Sequence, residues 1–487
     1  DLHRRRHSFP TRRSSDLTGS VMQVVDKRYY NLGGSFDTIN SAFYLEDNFR
    51  ATKDILLNFG VRSESFENKT ATGETFIKVN NTLAPRAGAT WDLSGNGRTK
   101  VFANAGRYYI PVYSNTNARL SGAETYYRDF YQFDGTFSTD GKSVPGTGAA
   151  LGDRITYSTG ETPDPKSIVD NNIKPMFQDQ FSLGFQQALD NKWVVGAKAT
   201  NRKLKNGMDD VCDGSTVKSW ATSNGYTTSQ ADVIKGAIDH CFLTNPGKAL
   251  SANIDLNEDG NLTRVDIPAS AMMLPEVKRV YQALEFTAEK PWENGWFARV
   301  SYVWSRLKGN AEGYVKSDNA QDDAGITQDF DHAGNMLGAL GYLPNDRRHA
   351  FKFQGAFALT DEYRLGGTLT VQSGRPRNCF GYYAGPIADA SLSSGAASFY
   401  CGGVLNPRGT LGKTAWQNDL SLQASYMPKQ YKGLSLTFDV FNVLNNRTPG
   451  YINEVGEVAA NTVSPDYLKP MNFQRARYFK ISTEYKF

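Results

Sequence analysis

Hydrophobic and polar residues alternate along most of the chain. From position 55 onward, Ile55, Leu57, Phe59 and Val61 fall on one side of a period-two pattern, with Asn58, Gly60, Arg62 and Glu64 on the other. Further on, Trp296, Ala298, Val300, Tyr302 and Trp304 alternate with Phe297, Arg299, Ser301, Val303 and Ser305. At the end, Phe479, Ile481, Tyr485 and Phe487 alternate with Lys480, Ser482, Glu484 and Lys486. Such segments predict about fourteen strands, near 20–31, 36–50, 54–66, 83–93, 98–110, 175–190, 192–206, 277–291, 294–307, 346–360, 362–374, 415–428, 433–446 and 474–487. Many exceed the roughly five or six residues usual in globular proteins and reach the roughly 9 to 11 that a tilted strand needs to cross a bilayer.

The connections alternate between tight and very long. Asp190-Asn191, Ser94-Gly95-Asn96-Gly97, Thr360-Asp361 and the step from Ala51 to Lys53 are rich in turn formers. Between them lie long connections near 111–174, 207–276, 308–345, 375–414 and 447–473. Compact soluble domains rarely carry so many long loops. An antiparallel transmembrane β-barrel requires this asymmetry, with short periplasmic turns and long extracellular loops. Trp91, Trp193, Trp292 and Trp296 fall close to predicted tight turns, where an aromatic girdle would sit at the periplasmic interface.

Composition narrows the alternatives. With 7 Trp, 25 Tyr and 28 Phe in 487 residues, the chain has enough large side chains to offset the entropy of ordering. Mean hydropathy is −0.50 and no apolar run is long enough for a membrane-spanning helix, which leaves barrel strands as the way across a bilayer. The net charge of +4 owes +3 to residues 1–17, where five Arg face Asp1 and Asp16, so the rest is nearly neutral and does not suit nucleic-acid binding. Residues 1–17 lack the apolar core of a secretion signal. They read as a solvated, disordered basic leader or as non-native sequence resembling translated sequencing adapter, in which case the native chain extends upstream.

Leu436-Thr437-Phe438-Asp439-Val440-Phe441-Asn442-Val443-Leu444-Asn445-Asn446 resembles the penultimate-strand motif of TonB-dependent outer-membrane receptors. Phe487, with Tyr485 two residues before it, resembles the terminal signal read by the barrel-assembly machinery, although Thr483 stands where that signal often has Gly. The stretches 42–49 (AFYLEDNF) and 341–349 (GYLPNDRRH) resemble the Oar-like branch of the same family. The resemblance spans roughly 18–487 and implies the outer membrane of a Gram-negative bacterium and uptake of a scarce, unidentified solute. The partners it implies are outer-membrane lipid, the assembly machinery and a TonB-type energy-coupling complex reached through a plug. Barrels of this family have about 22 strands. About fourteen are counted here, so eight further strands, the plug and the coupling box are expected outside this sequence. An adhesive or structural barrel that binds a partner through its loops is the alternative.

The sharpest local motif is Asp255-Leu256-Asn257-Glu258-Asp259-Gly260-Asn261-Leu262-Thr263-Arg264-Val265-Asp266. Oxygen donors at Asp255, Asn257, Asp259 and Asn261, a Gly at the sixth position and Asp266 at the twelfth suit a Ca²⁺ loop, the competing reading being a hydrophilic turn. Cys212 and Cys241 share one predicted loop, Cys379 and Cys401 another, and disulfides within each loop are the simplest of three pairings. A four-thiolate metal site would lack the usual close spacing of its ligands. Tyr126, Tyr127, Phe130, Tyr131 and Phe133 form an aromatic run that would stack on a sugar, clamp a peptide or pack its own loop. The acidic series Asp318, Asp322, Asp323, Asp329 and Asp331 reads as a solvated loop face or a cation attractor. No nucleophile with an oriented base, nucleotide motif or redox motif is found, so neither an enzyme nor a redox or nucleotide cofactor is expected.

Overall fold

The computed structural model describes residues 14–15, 21–139, 144–321, 324–387 and 395–487. The basic leader therefore lies outside the described residues apart from Ser14 and Ser15, as do Asp322 and Asp323 of the acidic series. The chain divides into two compact units. One gathers Glu67–Ile77, Ser114–Pro165 and the segment before Asn40; the other contains Asn40–Phe66, Lys78–Tyr113 and Lys166–Phe487.

The larger unit is built on one antiparallel sheet. From one edge its long strands are Tyr478–Tyr485, Leu434–Phe441, Gln417–Tyr426, Tyr363–Gln372, His349–Ala358, Trp296–Gly309, Arg279–Glu293, Val194–Lys205, Phe177–Ala188, Thr99–Tyr109, Thr75–Asp92, Ile55–Lys69 and Thr38–Arg50. Each long strand pairs with its sequence neighbour among them, as hairpin connection demands. The short strand Gly341–Tyr342 also joins the sheet, beside Trp296–Gly309.

The registers show why the sequence alternates. One row across six strands reads Phe185, Ala197, Phe286, Tyr302, Phe351 and Val371. A neighbouring row reads Gln186, Gly196, Thr287, Ser301, Lys352, Thr370 and Asp419. Consecutive strand residues point to opposite faces, so the first row belongs to an apolar face and the second to a polar one. The apolar face is the uncovered one: Phe181, Phe286, Phe357 and Ile481 are 51%, 50%, 49% and 79% exposed. Water would penalise that face, whereas hydrocarbon solvates it. On the polar face, Lys198 pairs with Glu285 at 2.6 Å and Arg299 with Glu289 at 2.9 Å. Arg62 and Glu64 form a close ion pair there too.

Tight turns close the other ends of the hairpins. Asp92 accepts hydrogen bonds from Gly95 N at 3.1 Å and Gly97 N at 2.6 Å, and both glycines take the positive φ that this turn requires. Trp91 and Trp292 stand exposed beside such turns, and Trp193 meets Trp296 at 6.0 Å.

One expected strand belongs elsewhere. Val24–Gly33 pairs with Ala123–Phe137 inside the smaller unit, in a sheet with Pro145–Ala150 and Ile155–Thr159. Asp26 and Arg28 lie on one of its faces and Lys27 on the other, so neither face suits lipid. The strand is instead held by cross-strand pairs, with Asp26 against Arg128 and Tyr29 stacked on Tyr127 at 4.9 Å.

Candidate functional site

The long connections of the larger unit are folded, and the main hydrophobic core lies among them. Val217, Ala221, Ile234, Ile238, Phe242, Ile267, Phe330, Phe380 and Phe399, from three different connections, are buried together. Connection 207–276 forms helices Ser215–Ser223 and Thr228–Asp239. Thr227 starts the second helix with a reciprocal cap, its Oγ1 accepting from Gln230 N and its own N donating to Gln230 Oε1, both at 3.2 Å. Ala231, Ile234 and Ile238 then recur at helical spacing on the buried side. Disulfides join Cys212 to Cys241 and Cys379 to Cys401, each within one connection.

Beside this core lies a buried ionic cluster. Arg408 donates to Asp318 at 2.8 Å and to Asp329 at 2.9 Å, and Lys316 reaches Asp329 at 2.6 Å. Asn378 bridges Asp318 at 3.2 Å to Glu454 at 3.0 Å, and Arg375 pairs with Glu454 at 2.9 Å. Phe380 lies under Lys316 and Phe399 under Arg408, each 4.8 Å from the charge. Connections 308–345 and 375–414 are thus tied by charge, and Glu454 of 447–473 joins them through Asn378, at a point without solvent. Asp318 and Asp329 are therefore buried ion-pair partners, not members of a solvated face. Burial would raise Asp329, but the charges of Lys316 and Arg408 hold it below the usual carboxylate range. Burial, reinforced by Asp318, lifts Glu454 to about 8 against the pull of Arg375.

A second acidic group joins connections 207–276 and 308–345. Asp209 accepts from Thr327 N at 2.7 Å and from Thr327 Oγ1 at 2.6 Å. Burial pushes Asp209 up to about 8 and Asp331 up to about 7, and burial with the charges of Asp331 and Asp209 holds Asp210 well above the usual carboxylate range. Close by, His332 Nδ1 is 3.2 Å from Asp213 Oδ2. No motif marks these residues, whose partners come from another loop.

The expected calcium loop forms an exposed turn. Asp255 accepts from Asp259 N at 3.0 Å and Gly260 N at 2.7 Å, and Asp259 accepts from Asn261 N at 2.9 Å. The Gly260 amide, followed by other loop hydrogen bonds, lowers the pKa of Asp255. Asn257 Oδ1 accepts from Gln230 at 3.3 Å, and Asp266, on strand Thr263–Ile267, pairs with Arg264 at 3.0 Å. Asp255 and Asp259 are thus brought together, while Asp266 is engaged by Arg264.

The expected aromatic cluster lies in the smaller unit, all five residues on Ala123–Phe137, but it does not share one surface. Tyr127 and Tyr131 alternate with Tyr126 and Phe130, and Phe133 packs on Phe137 at 5.1 Å. Tyr127 lies between Tyr29 and the Arg154 guanidinium, which is 3.7 Å from its ring centre and bound to Asp129. On the other face Tyr126 stacks on Tyr157 at 4.6 Å. The run alone could not show that Tyr29 and Tyr157 would complete these stacks. At the C-terminus, Tyr485 ends the last strand and meets Phe487 edge-on at 5.1 Å.

The TonB-dependent transporter Oar of Myxococcus xanthus is 26% identical in an alignment of 471 positions that covers 91% of this chain and 38% of that protein. Solved structures with similar folds include the ferric-catecholate import receptor Fiu of Escherichia coli, at 13% identity and a TM-score of 0.45 over 93% of this chain and 45% of that one. Another is the siderophore receptor PiuA of Acinetobacter baumannii, at 11% identity and a TM-score of 0.48 over 93% of this chain and 44% of that one. The chain thus spans less than half the length of these relatives. A family model described as outer membrane beta barrel domain matches residues 68–487. Together with the exposed apolar face and the alternation of tight turns and long loops, that match places the chain in the outer membrane beta barrel family of Gram-negative bacteria.

Proposed function

We propose that this barrel takes part in TonB-dependent uptake of a scarce solute across the outer membrane. The observation that carries the reading is the alignment of 91% of the chain with the Oar transporter. The folded loops would capture the solute from outside and the polar sheet face would line its path. Energy would arrive through a plug and a TonB-type complex. The barrel would act by binding and passage, without covalent chemistry. Outer-membrane lipid would cover the apolar face, and the barrel-assembly machinery would read the Tyr485 and Phe487 terminus.

The test is depletion of solutes from a limiting medium by the source bacterium, with and without the gene, measured by mass spectrometry. Uptake of at least one solute should fall in the deletion strain, return on complementation and stop when a protonophore collapses the inner-membrane gradient. Unchanged depletion together with lost attachment to a surface would instead support an adhesive barrel.

A further inference from the structure

We propose that the loop-side ends of strands Val194–Lys205, Arg279–Glu293 and Trp296–Gly309 form a lipid-facing site for the phosphate groups of lipid A, the glycolipid of the outer leaflet. Lys203, Val280, Lys308 and Tyr342 stand side by side in one row, each opposite the next in register. That row is an even number of residues from the row of Ala197, Phe286 and Tyr302, so it lies on the apolar face. Lys205 and Lys278 come two positions further out. Lys278 is fixed by its backbone, its N donating to Asn310 Oδ1 at 2.7 Å and its carbonyl accepting from Asn310 N at 2.9 Å. Lys203, Lys205, Lys278 and Lys308 are all exposed. With Lys248 they line a cleft of about 390 Å³, where Glu276 is the one carboxylate among the lining residues.

Depth along the strand decides what the cleft meets. From Trp296 at the tight-turn end to Lys308, the strand runs about 40 Å, which a tilt of about 40° turns into about 30 Å across the membrane. The apolar band of such a barrel is about 25 Å tall, so the ammonium groups stand just beyond it, at headgroup level on the side of the long connections. Lysines on neighbouring strands of one face repel each other unless an anion lies among them. Asp179, opposite Lys203 in the same row, is already held by Arg107 through bonds of 2.8 Å and 3.1 Å. Lys248 has a neutral partner, Asn206 Oδ1 at 2.6 Å, and Lys308 sits 5.1 Å over the Tyr342 ring. Among the described residues, no ion pair engages any of the five lysines. A phosphate ester offers oxygens to several ammonium groups at once. Val280 and the exposed Leu340 lie among the charges and suit the carbon skeleton of an amphiphile. The cleft opens on the face opposite the one proposed to pass solute, so its occupant is lipid and not cargo.

The test uses the full chain folded in detergent micelles, mixed with bisphosphorylated lipid A and weighed by native mass spectrometry. A saturable lipid adduct is expected, and lipid A stripped of both phosphates should bind far more weakly. Lys203→Gln with Lys308→Gln should weaken binding about thirtyfold, and either substitution alone about fivefold. Lys203→Arg with Lys308→Arg should keep it. Lys429→Gln, which removes the same charge at a tight turn, should leave binding unchanged. Heat-modifiable migration checks the fold of each variant, and the single variants carry the test should the double one not fold. Equal binding of dephosphorylated lipid A would overturn the proposal, as would unchanged binding in the Gln variants. An equal loss in Lys429→Gln would reduce the effect to net charge and overturn the site. Displacement of the lipid by millimolar inorganic phosphate would overturn the assignment to lipid.

Discussion

Arg408 and Asp318 stand 90 residues apart in sequence and 2.8 Å apart in space, with neither side chain exposed. Taking both charges out of water is costly, so the pair is tolerated because each charge is also held by others: Lys316 and Asn378 near Asp318, Asp329 on Arg408. Removing one partner should therefore cost far more than the pair contributes. Asp318→Ala is expected to destabilise the folded loops by about 3–5 kcal/mol, exposing 308–345 and 375–414 to trypsin in isolated outer membranes. The heat-modifiable barrel band should persist. Asp318→Leu with Arg408→Met should restore much of the protection, because the remaining buried charges, Lys316 and Asp329, stay paired with each other at 2.6 Å.

The disulfide between Cys379 and Cys401 closes a loop of 22 residues. In the chain-entropy model this contributes about 3–4 kcal/mol, so Cys379→Ser with Cys401→Ser should lower loop protection from hydrogen exchange by a comparable amount. Gly456 supplies an independent check. A methyl group there would collide with both sulfurs, so Gly456→Ala should weaken the same loop while the disulfide is intact. Equal protection in all three proteins would contradict this account.

Glu454 gives the loops a pH dependence with a definite sign. Its pKa rises from 4.5 in the unfolded chain to about 8 in the fold, with burial as the first cause and Asp318 adding to it against Arg375. The folded state therefore holds a proton that the unfolded state has lost. Stability is fully present below about pH 4.5 and falls as pH rises through about 8, then levels off. Loop protection measured from pH 5 to 9 should decline, and Glu454→Gln should flatten that decline. A decline of equal slope in the variant would remove Glu454 from the explanation.

The two sheet faces should respond oppositely to one charge. Phe353 lies on the apolar face in the middle of its strand, paired with Val300 and Leu369. Phe353→Arg should cost about 2–4 kcal/mol in unfolding from lipid vesicles. Thr368→Arg, on the polar face opposite Gln354 and Ser421, should cost well under half as much.

The sheet was legible because a strand with one lipid face and one polar face writes its period directly into the sequence. Segment 20–31 misled because period alone does not weigh charge: Asp26, Lys27 and Arg28 rule out a lipid face on either side. The insides of the loops were much less legible. Thr227, Gln230 and the apolar positions 231, 234 and 238 carried a readable helix signal inside a connection expected to be irregular. Asp318 and Asp329 looked solvated because Arg408, which neutralises both, comes from a different loop. The disulfides reflect local spacing, whereas the contact of Asp209 with Thr327 depends on tertiary placement that no single segment encodes.

The most direct test of the central claim, that the apolar face is in lipid and the long loops lie outside the cell, is labelling by a membrane-impermeant maleimide. All four native cysteines are paired, so background should be low. Ser223→Cys, exposed in the long connection 207–276, should label in intact cells. Ser94→Cys, exposed in a tight turn, should label only after the outer membrane is permeabilised. Labelling of Ser94→Cys in intact cells, with Ser223→Cys protected until permeabilisation, would contradict the assigned topology.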